Sequence, residues 1–272
     1  MKNNLLVIVV LFITTNLFAY TDSDLDGVAD KYDKCKNTPL SDLVDRRGCT
    51  IKSLFTDYHY DIVYGLNYAD AAQVSTTNID MPSFSLRADF YYKNFYLQTY
   101  SSYYVNTDDN GDTQNGFYDT FVGGGYHYNI TKKLFLSVGA GALLPTYDDK
   151  VITNNTDYKA FTSISYIQNN ATVFGSYSYT IINDKDTNNI VSFQDTNAYS
   201  VGAGYNFSDK FYASGSYNFT NSVYKSVEDL TTASVYILYN INKSKYFTFN
   251  YAHGLSNSAN DNSFSLLIGH YF

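Results

Sequence analysis

From Tyr58 to Phe272, apolar and polar side chains alternate over segments of about eleven residues, the length a tilted strand needs to cross a bilayer. Twelve such segments stand near 58–69, 82–92, 95–106, 117–129, 134–144, 158–168, 171–182, 196–207, 211–222, 230–241, 246–256 and 262–272. Successive side chains of a strand point to opposite faces, so parity sorts them. In 134–144 one face carries Leu134, Leu136, Val138, Ala140, Ala142 and Leu144, and the other Ser137, Gly139 and Gly141. In 196–207 Tyr199, Val201, Ala203, Tyr205 and Phe207 oppose Ser200, Gly202, Gly204 and Asn206. The segment 158–168 alone leaves its apolar face undecided.

The links between segments alternate strictly in length. Lys93-Asn94, 130–133, Asn169-Asn170, 208–210 and 242–245 read as tight turns, whereas 70–81, 107–116, 145–157, 183–195, 223–229 and 257–261 read as longer polar loops. Membrane barrels of bacteria keep short turns on the periplasmic side and long loops outside. A soluble β-sandwich shares the alternation within strands, but its strands are shorter and its links have no reason to alternate. The pattern predicts an all-β chain, an antiparallel up-and-down transmembrane β-barrel over residues 53–272. Twelve strands is the expected count, with ten and fourteen its even neighbours.

Composition and charge narrow this further. Thirty Tyr, 19 Phe and only 3 Pro favour strands. The net charge of −8 and the lack of a basic cluster exclude the footprint of a nucleic-acid binder. The long loops hold acids, among them Asp108, Asp109, Asp112, Asp148, Asp149, Asp184 and Asp186. Lys93, Lys132, Lys133, Lys210, Lys243 and Lys245 sit in the short turns. Solubility explains most of that division, and an attraction for cations at the loop end is the functional alternative.

Residues 1–19 read as a signal peptide: Lys2, an apolar run from Leu5 to Ile13, then Leu17-Phe18-Ala19. The sequence ends in a strand in which Phe264, Leu266, Ile268, His270 and Phe272 share a face. It resembles the C-terminal signal strand of bacterial outer-membrane proteins, which implies recognition by the barrel-assembly machinery through Phe272. His270 departs from that pattern, where an apolar residue is usual. The resemblance implies residence in the outer membrane, among its lipid and lipopolysaccharide.

Between the leader and the barrel, Asp22, Asp24, Asp26, Asp30 and Asp33 occupy positions 1, 3, 5, 9 and 12 of a loop with Gly27 at position 6. Alternate carboxylates around a glycine turn, with the Val28 carbonyl at position 7, suit Ca²⁺. Flanking helices are not evident, so a helix–loop–helix hand is not expected. With Cys35, Thr38-Pro39, Val44-Asp45 and Gly48-Cys49, the segment resembles a thrombospondin type 3 repeat of the kind found in OmpA-type proteins. The likeness covers about residues 22–50 and implies a structural calcium site. Cys35 and Cys49 are the only two cysteines, and export to an oxidising compartment predicts a disulfide between them. Residues 20–52 are therefore expected to form a small periplasmic module, available for contact there, with too little core to hold without metal or disulfide.

Parity sends His59, Asp61, Arg87, Asp89, Asp119 and His127 to the lumen and no charge into lipid. A hairpin about 70–81 brings Asp61 near Arg87 and Asp89, as a brace for the interior or as a selectivity filter. The leading functional expectation is a passive pore for small polar solutes or ions. Inward aromatics such as Tyr91, Tyr96, Tyr100, Tyr104 and Phe174 are enough to fill a barrel of this size, so a plugged surface-display barrel is the alternative. An outer-membrane hydrolase would need a serine beside a histidine on one face, and parity separates His253 from Ser265. No enzymatic activity is expected.

Overall fold

The computed structural model describes residues 22–24, 26–39, 42–53, 58–71, 79–108, 111, 113–147, 154–186 and 192–272. The expected leader, 1–19, and the loop acids Asp109, Asp112, Asp148 and Asp149 lie outside them. The chain divides into two units, Met1–Asp57 and Tyr58–Phe272.

In the first unit, β1 (Asp42–Val44) and β2 (Thr50–Ser53) form an antiparallel pair. The Cys35–Cys49 disulfide spans 14 residues. Beside it, the buried Thr38 hydroxyl donates to the Gly48 carbonyl at 2.6 Å. The apolar content is small, as expected of a unit stapled by a covalent bond.

The second unit comprises β3 (Tyr58–Ala71), β4 (Ile79–Asp80), β5 (Ser83–Tyr92), β6 (Phe95–Asp108), β7 (Thr113–Phe117), β8 (Thr120–Asn129), β9 (Leu134–Leu144), β10 (Asp157–Gln168), β11 (Ala171–Ile181), β12 (Thr196–Ser208), β13 (Phe211–Thr220), β14 (Leu230–Asn242), β15 (Lys245–Gly254) and β16 (Asn262–Tyr271). Twelve of these are long staves, and β4 and β7 are short extensions at the long-loop end. Each stave pairs antiparallel with the next, and β16 returns to β3, with Leu266 opposite Leu66 and Gly269 opposite Val63. Phe272 completes the seam. Its amide donates to the Tyr60 carbonyl at 3.0 Å, and its ring stacks on Tyr60 at 4.9 Å. The sheet is therefore a closed twelve-stranded barrel without edges, which satisfies backbone groups where no water can.

Two details depart from the sequence expectation. The stretch 107–116 is not a free loop, because β6 and β7 prolong a hairpin through it. The expected strand 117–129 is interrupted at Tyr118 and Asp119. Tyr103 pairs with Phe117, but Tyr100 pairs with Phe121, so the second strand carries one extra residue. That bulge moves the inner face from even positions in β7 to odd positions in β8.

Elsewhere parity holds. Leu66, Leu97 and Phe207 are 62–66% exposed on the outer face, where a soluble protein would not leave them. Outward aromatics cluster at both rims, as Tyr58–Phe90 and Phe95–Tyr126 near the short turns and Tyr68–Phe264 and Tyr199–Phe219 near the long loops. These are interfacial girdles. The undecided segment settles with Tyr158, Ala160, Thr162, Ile164 and Tyr166 outside, since Phe161 and Ser163 pair with the inward Gly139 and Ser137. Ala140 lies between Gly124 and Ala160 on the outer wall. Ala140→Arg is expected to destabilise the folded barrel by about 2–4 kcal/mol, the cost of a cation facing lipid near the midplane. Denaturant unfolding in lipid vesicles measures it.

Candidate functional site

The inner wall is lined by hydroxyls, amides and glycines. On several strands an inward ring lies flat on a glycine of a neighbouring strand. A methyl group on Gly139 would stand 2.5 Å from Phe161, on Gly141 2.6 Å from Phe121, and on Gly202 2.5 Å from Phe174. Tyr96 covers Gly125 and Tyr104 covers Gly116 in the same way. The glycines supply the close approach that seats these rings. Tyr96, Tyr104 and Phe174 thus hug the wall rather than fill the centre, and a cavity of about 650 Å³ remains inside the barrel. Among its lining residues are Arg87, Gln98, Tyr100, Lys159, Ser176, Ser200 and Asn218.

Nearer the short turns the lumen carries a collar of rings. His127 stacks on Tyr96 at 4.6 Å and His59 on Tyr91 at 4.6 Å, while Tyr91 and His127 lie 6.4 Å apart. His59 also meets Tyr271, which meets Tyr246 at 5.3 Å. The collar runs over β8, β6, β5, β3, β16 and β15 without a break.

Against this collar sit three of the expected lumen charges. Asp61 and Asp89 are directly opposite in the β3–β5 register, and each is 3% exposed. The Arg87 Nε lies 2.9 Å from Asp89 Oδ2. Tyr246 donates its hydroxyl proton to Asp61 Oδ2 at 2.5 Å. The structure therefore brings Asp61, Arg87 and Asp89 together, as the hairpin parity implies, and adds Tyr246. His59 and His127 belong to the collar. Asp119 does not line the cavity. It lies in the bulge, where its Oδ1 accepts from the Tyr147 amide at 3.0 Å and from Asn154 Nδ2 at 2.7 Å, tying the start of β8 to the connection between β9 and β10. Lys159 is a lumen charge that the sequence left unassigned, because its strand had no clear face.

His253 stands on the outer wall between Ala233 and Asn262, and His270 stacks 6.1 Å from Tyr64 on the outside. Neither has a serine opposite it in the sheet register.

In the N-terminal unit, carboxylate oxygens of Asp22, Asp24 and Asp26 lie within 4.8 Å of one another. Each acid has one oxygen held by a backbone N–H: Asp22 by Gly27 at 2.9 Å, Asp24 by Thr38 at 2.7 Å, and Asp26 by Val28 at 2.8 Å. Asp33 follows the same rule, accepting from the Cys35 N–H at 2.7 Å. The second oxygen of all four is buried and, among the described residues, without a hydrogen-bond donor. Burial raises the Asp26 carboxyl above its usual range, the Val28 N–H opposes that, and the charges of Asp24, Asp33 and Asp22 add to it. Asp30 points elsewhere. Its carboxylate accepts from the Ser23 hydroxyl at 2.6 Å and the Ser23 amide at 2.8 Å, which hold its pKa low.

A closed barrel with an apolar, aromatic-girdled exterior and a polar, charged interior is a β-barrel of the bacterial outer membrane. Known structures bear this out at the level of fold. The chain is similar to an outer membrane channel from Pseudomonas putida F1, with a TM-score of 0.68 at 10% identity over 81% of this chain and 97% of that one. It is also similar to the NanC porin, with a TM-score of 0.54 at 12% identity over 78% and 98% of the two chains. The KdgM porin gives 0.51 at 12% identity over 78% and 99%. No protein-family model and no curated protein sequence matches the chain.

Proposed function

We infer that the barrel is a passive pore for small polar solutes or ions. The observation that carries this reading is the cavity of about 650 Å³ inside the wall, lined by charged, hydroxyl and amide groups together with Tyr100, Leu143, Phe121 and Phe161, the last two of which lie against glycine. A lumen built only to be filled would direct those rings to the axis. The channel and porin names of the structural neighbours agree with it. Discrete single-channel currents are expected when the refolded chain is added to a planar bilayer. A folded but silent protein overturns the pore and favours a display barrel closed at the aromatic collar.

The N-terminal unit, on this reading, is a calcium-stiffened periplasmic module. Asp22, Asp24 and Asp26 converge within 4.8 Å, and with Asp33 beside them each is pinned by a backbone N–H and offers a bare buried oxygen, the kind of donor set a hard divalent cation requires. Asp22, Asp24, Asp26 and Asp33 would hold the ion with the Val28 carbonyl, and Asp30 would brace the loop through Ser23. The ion would screen four crowded negative charges.

A further inference from the structure

The charges on the inner face of the long staves are not equivalent. Asp61, Asp89 and Asp157 are buried, and each is turned to a partner: Asp61 to Tyr246, Asp89 to Arg87, and Asp157 to the Asn183 N–H at 2.7 Å. Lys159 differs. Among the described residues no carboxylate lies within ion-pair distance of its ammonium. It is half-buried on β10, with Thr180 opposite on one side and Gly141 on the other. An ammonium drawn partly out of water with no counter-charge is a group that an arriving anion stabilises.

The rest of the cavity suits the body of such an anion. Arg87 faces it with a side chain 37% exposed, while the Asp89 carboxylate behind it is 2% exposed, so a solute meets the cation first. On β11 and β12 Ser176 and Ser200 share a hydrogen bond of 2.8 Å, and on β13 and β14 Asn218 donates to Ser234 at 3.0 Å. A serine hydroxyl that gives its proton still accepts, so this ladder keeps capacity for hydroxylated ligands. Rings of charged side chains set the sign of permeant ions in channels.

We propose that the cavity is a subsite for a small hydroxylated carboxylate, whose anionic group pairs with Lys159. Lys159 makes the lumen prefer anions although the chain as a whole carries −8. The proposal deepens the pore reading, on which its electrical test rests, whereas its binding test does not depend on conduction. Gluconate and sorbitol are the probes, since both are hydroxylated and only gluconate is charged.

In calorimetry on the detergent-solubilised full chain, gluconate is expected to bind and sorbitol not. Lys159→Gln is expected to weaken gluconate about tenfold, the loss of one charge-assisted hydrogen bond, and Lys159→Arg to retain it. In a planar bilayer under a KCl gradient, the wild type is expected to show an anion-selective reversal potential that moves toward cations in Lys159→Gln. Cation selectivity of the wild type overturns the proposal, and so does gluconate affinity unchanged by Lys159→Gln. A silent barrel that still binds gluconate through Lys159 keeps the site and refutes the pore, so the two failures are separable.

Discussion

Arg87→Ala is expected to destabilise the barrel by about 3–5 kcal/mol, the cost of leaving buried charge without its partner. The size of the effect follows from where the three groups sit. Asp61 and Asp89 face each other across β3 and β5, each 3% exposed, and among the described residues the guanidinium of Arg87 forms an ion pair with Asp89 alone. Tyr246 satisfies one oxygen of Asp61, but the other oxygen and both of Asp89 have no hydrogen-bond donor among the described residues. Removing Arg87 therefore strands the Asp89 carboxylate directly opposite a second buried acid, Asp61. Surface pairs behave otherwise: Arg47 and Asp45 in the N-terminal unit are 2.8 Å apart, but Arg47 is exposed and water reaches Asp45, so breaking that pair should change stability little. Equilibrium unfolding of the refolded barrel in detergent, by guanidinium titration, checks both. The triple variant Arg87→Gln, Asp61→Asn, Asp89→Asn is expected to recover most of the loss, because it removes the charges along with their need for one another. An Arg87→Ala barrel as stable as the wild type would mean that water reaches these acids and that the triad is no brace.

That triad was largely legible in the sequence, and the reason is physical. Lipid tolerates few side chains, so the outer face of each stave must be apolar and parity then assigns the inner one. Leu134 to Leu144 shows it plainly, and the proximity of Asp61, Arg87 and Asp89 follows from one hairpin. What stayed hidden depends on relations between strands. Tyr246 lies 185 residues from Asp61, and they meet only because β15, β16 and β3 close the cylinder. The bulge at Tyr118 and Asp119 is a difference between two registers and leaves no mark in the local pattern. Because of it, Asp119 serves a loop instead of the cavity. The seating of Phe121 and Phe161 on glycines is likewise a cross-strand fact. Lys159 is an intermediate case. Its own strand is ambiguous, but pairing 158–168 against the clear 134–144 would have turned Phe161 and Lys159 inward beside Gly139 and Gly141.

In the N-terminal unit the acids were legible by spacing, yet the residue expected to matter most after them is a glycine that spacing does not reveal. Gly48→Ala is expected to weaken calcium binding about 10–100-fold, the range for groups that support metal ligands without touching the ion. Gly48 packs against two of these carboxylates: a methyl group there would lie 2.0 Å from Asp33 Oδ1, the oxygen held by the Cys35 N–H, and 2.9 Å from the bare Asp26 Oδ2. Two of the four carboxylates would have to move, and the N–H bond from Cys35 that fixes Asp33 would have to give. Gly48 also holds a left-handed backbone, with φ at 73°, so strain alone could weaken the loop. Gly27→Ala separates the two causes. Gly27 has φ at 90°, but among the described residues nothing lies within 4 Å of its added methyl. If crowding of the carboxylates governs affinity, Gly27→Ala costs less than Gly48→Ala, and reduction of Cys35–Cys49, which frees the turn that holds Gly48 against Asp33, shrinks the cost of Gly48→Ala. Competition with a calcium-sensitive chelator on the full chain measures all three. Equal affinity in wild type and Gly48→Ala would remove Gly48 from the account, and no calcium binding by the wild type would remove the metal from the module altogether.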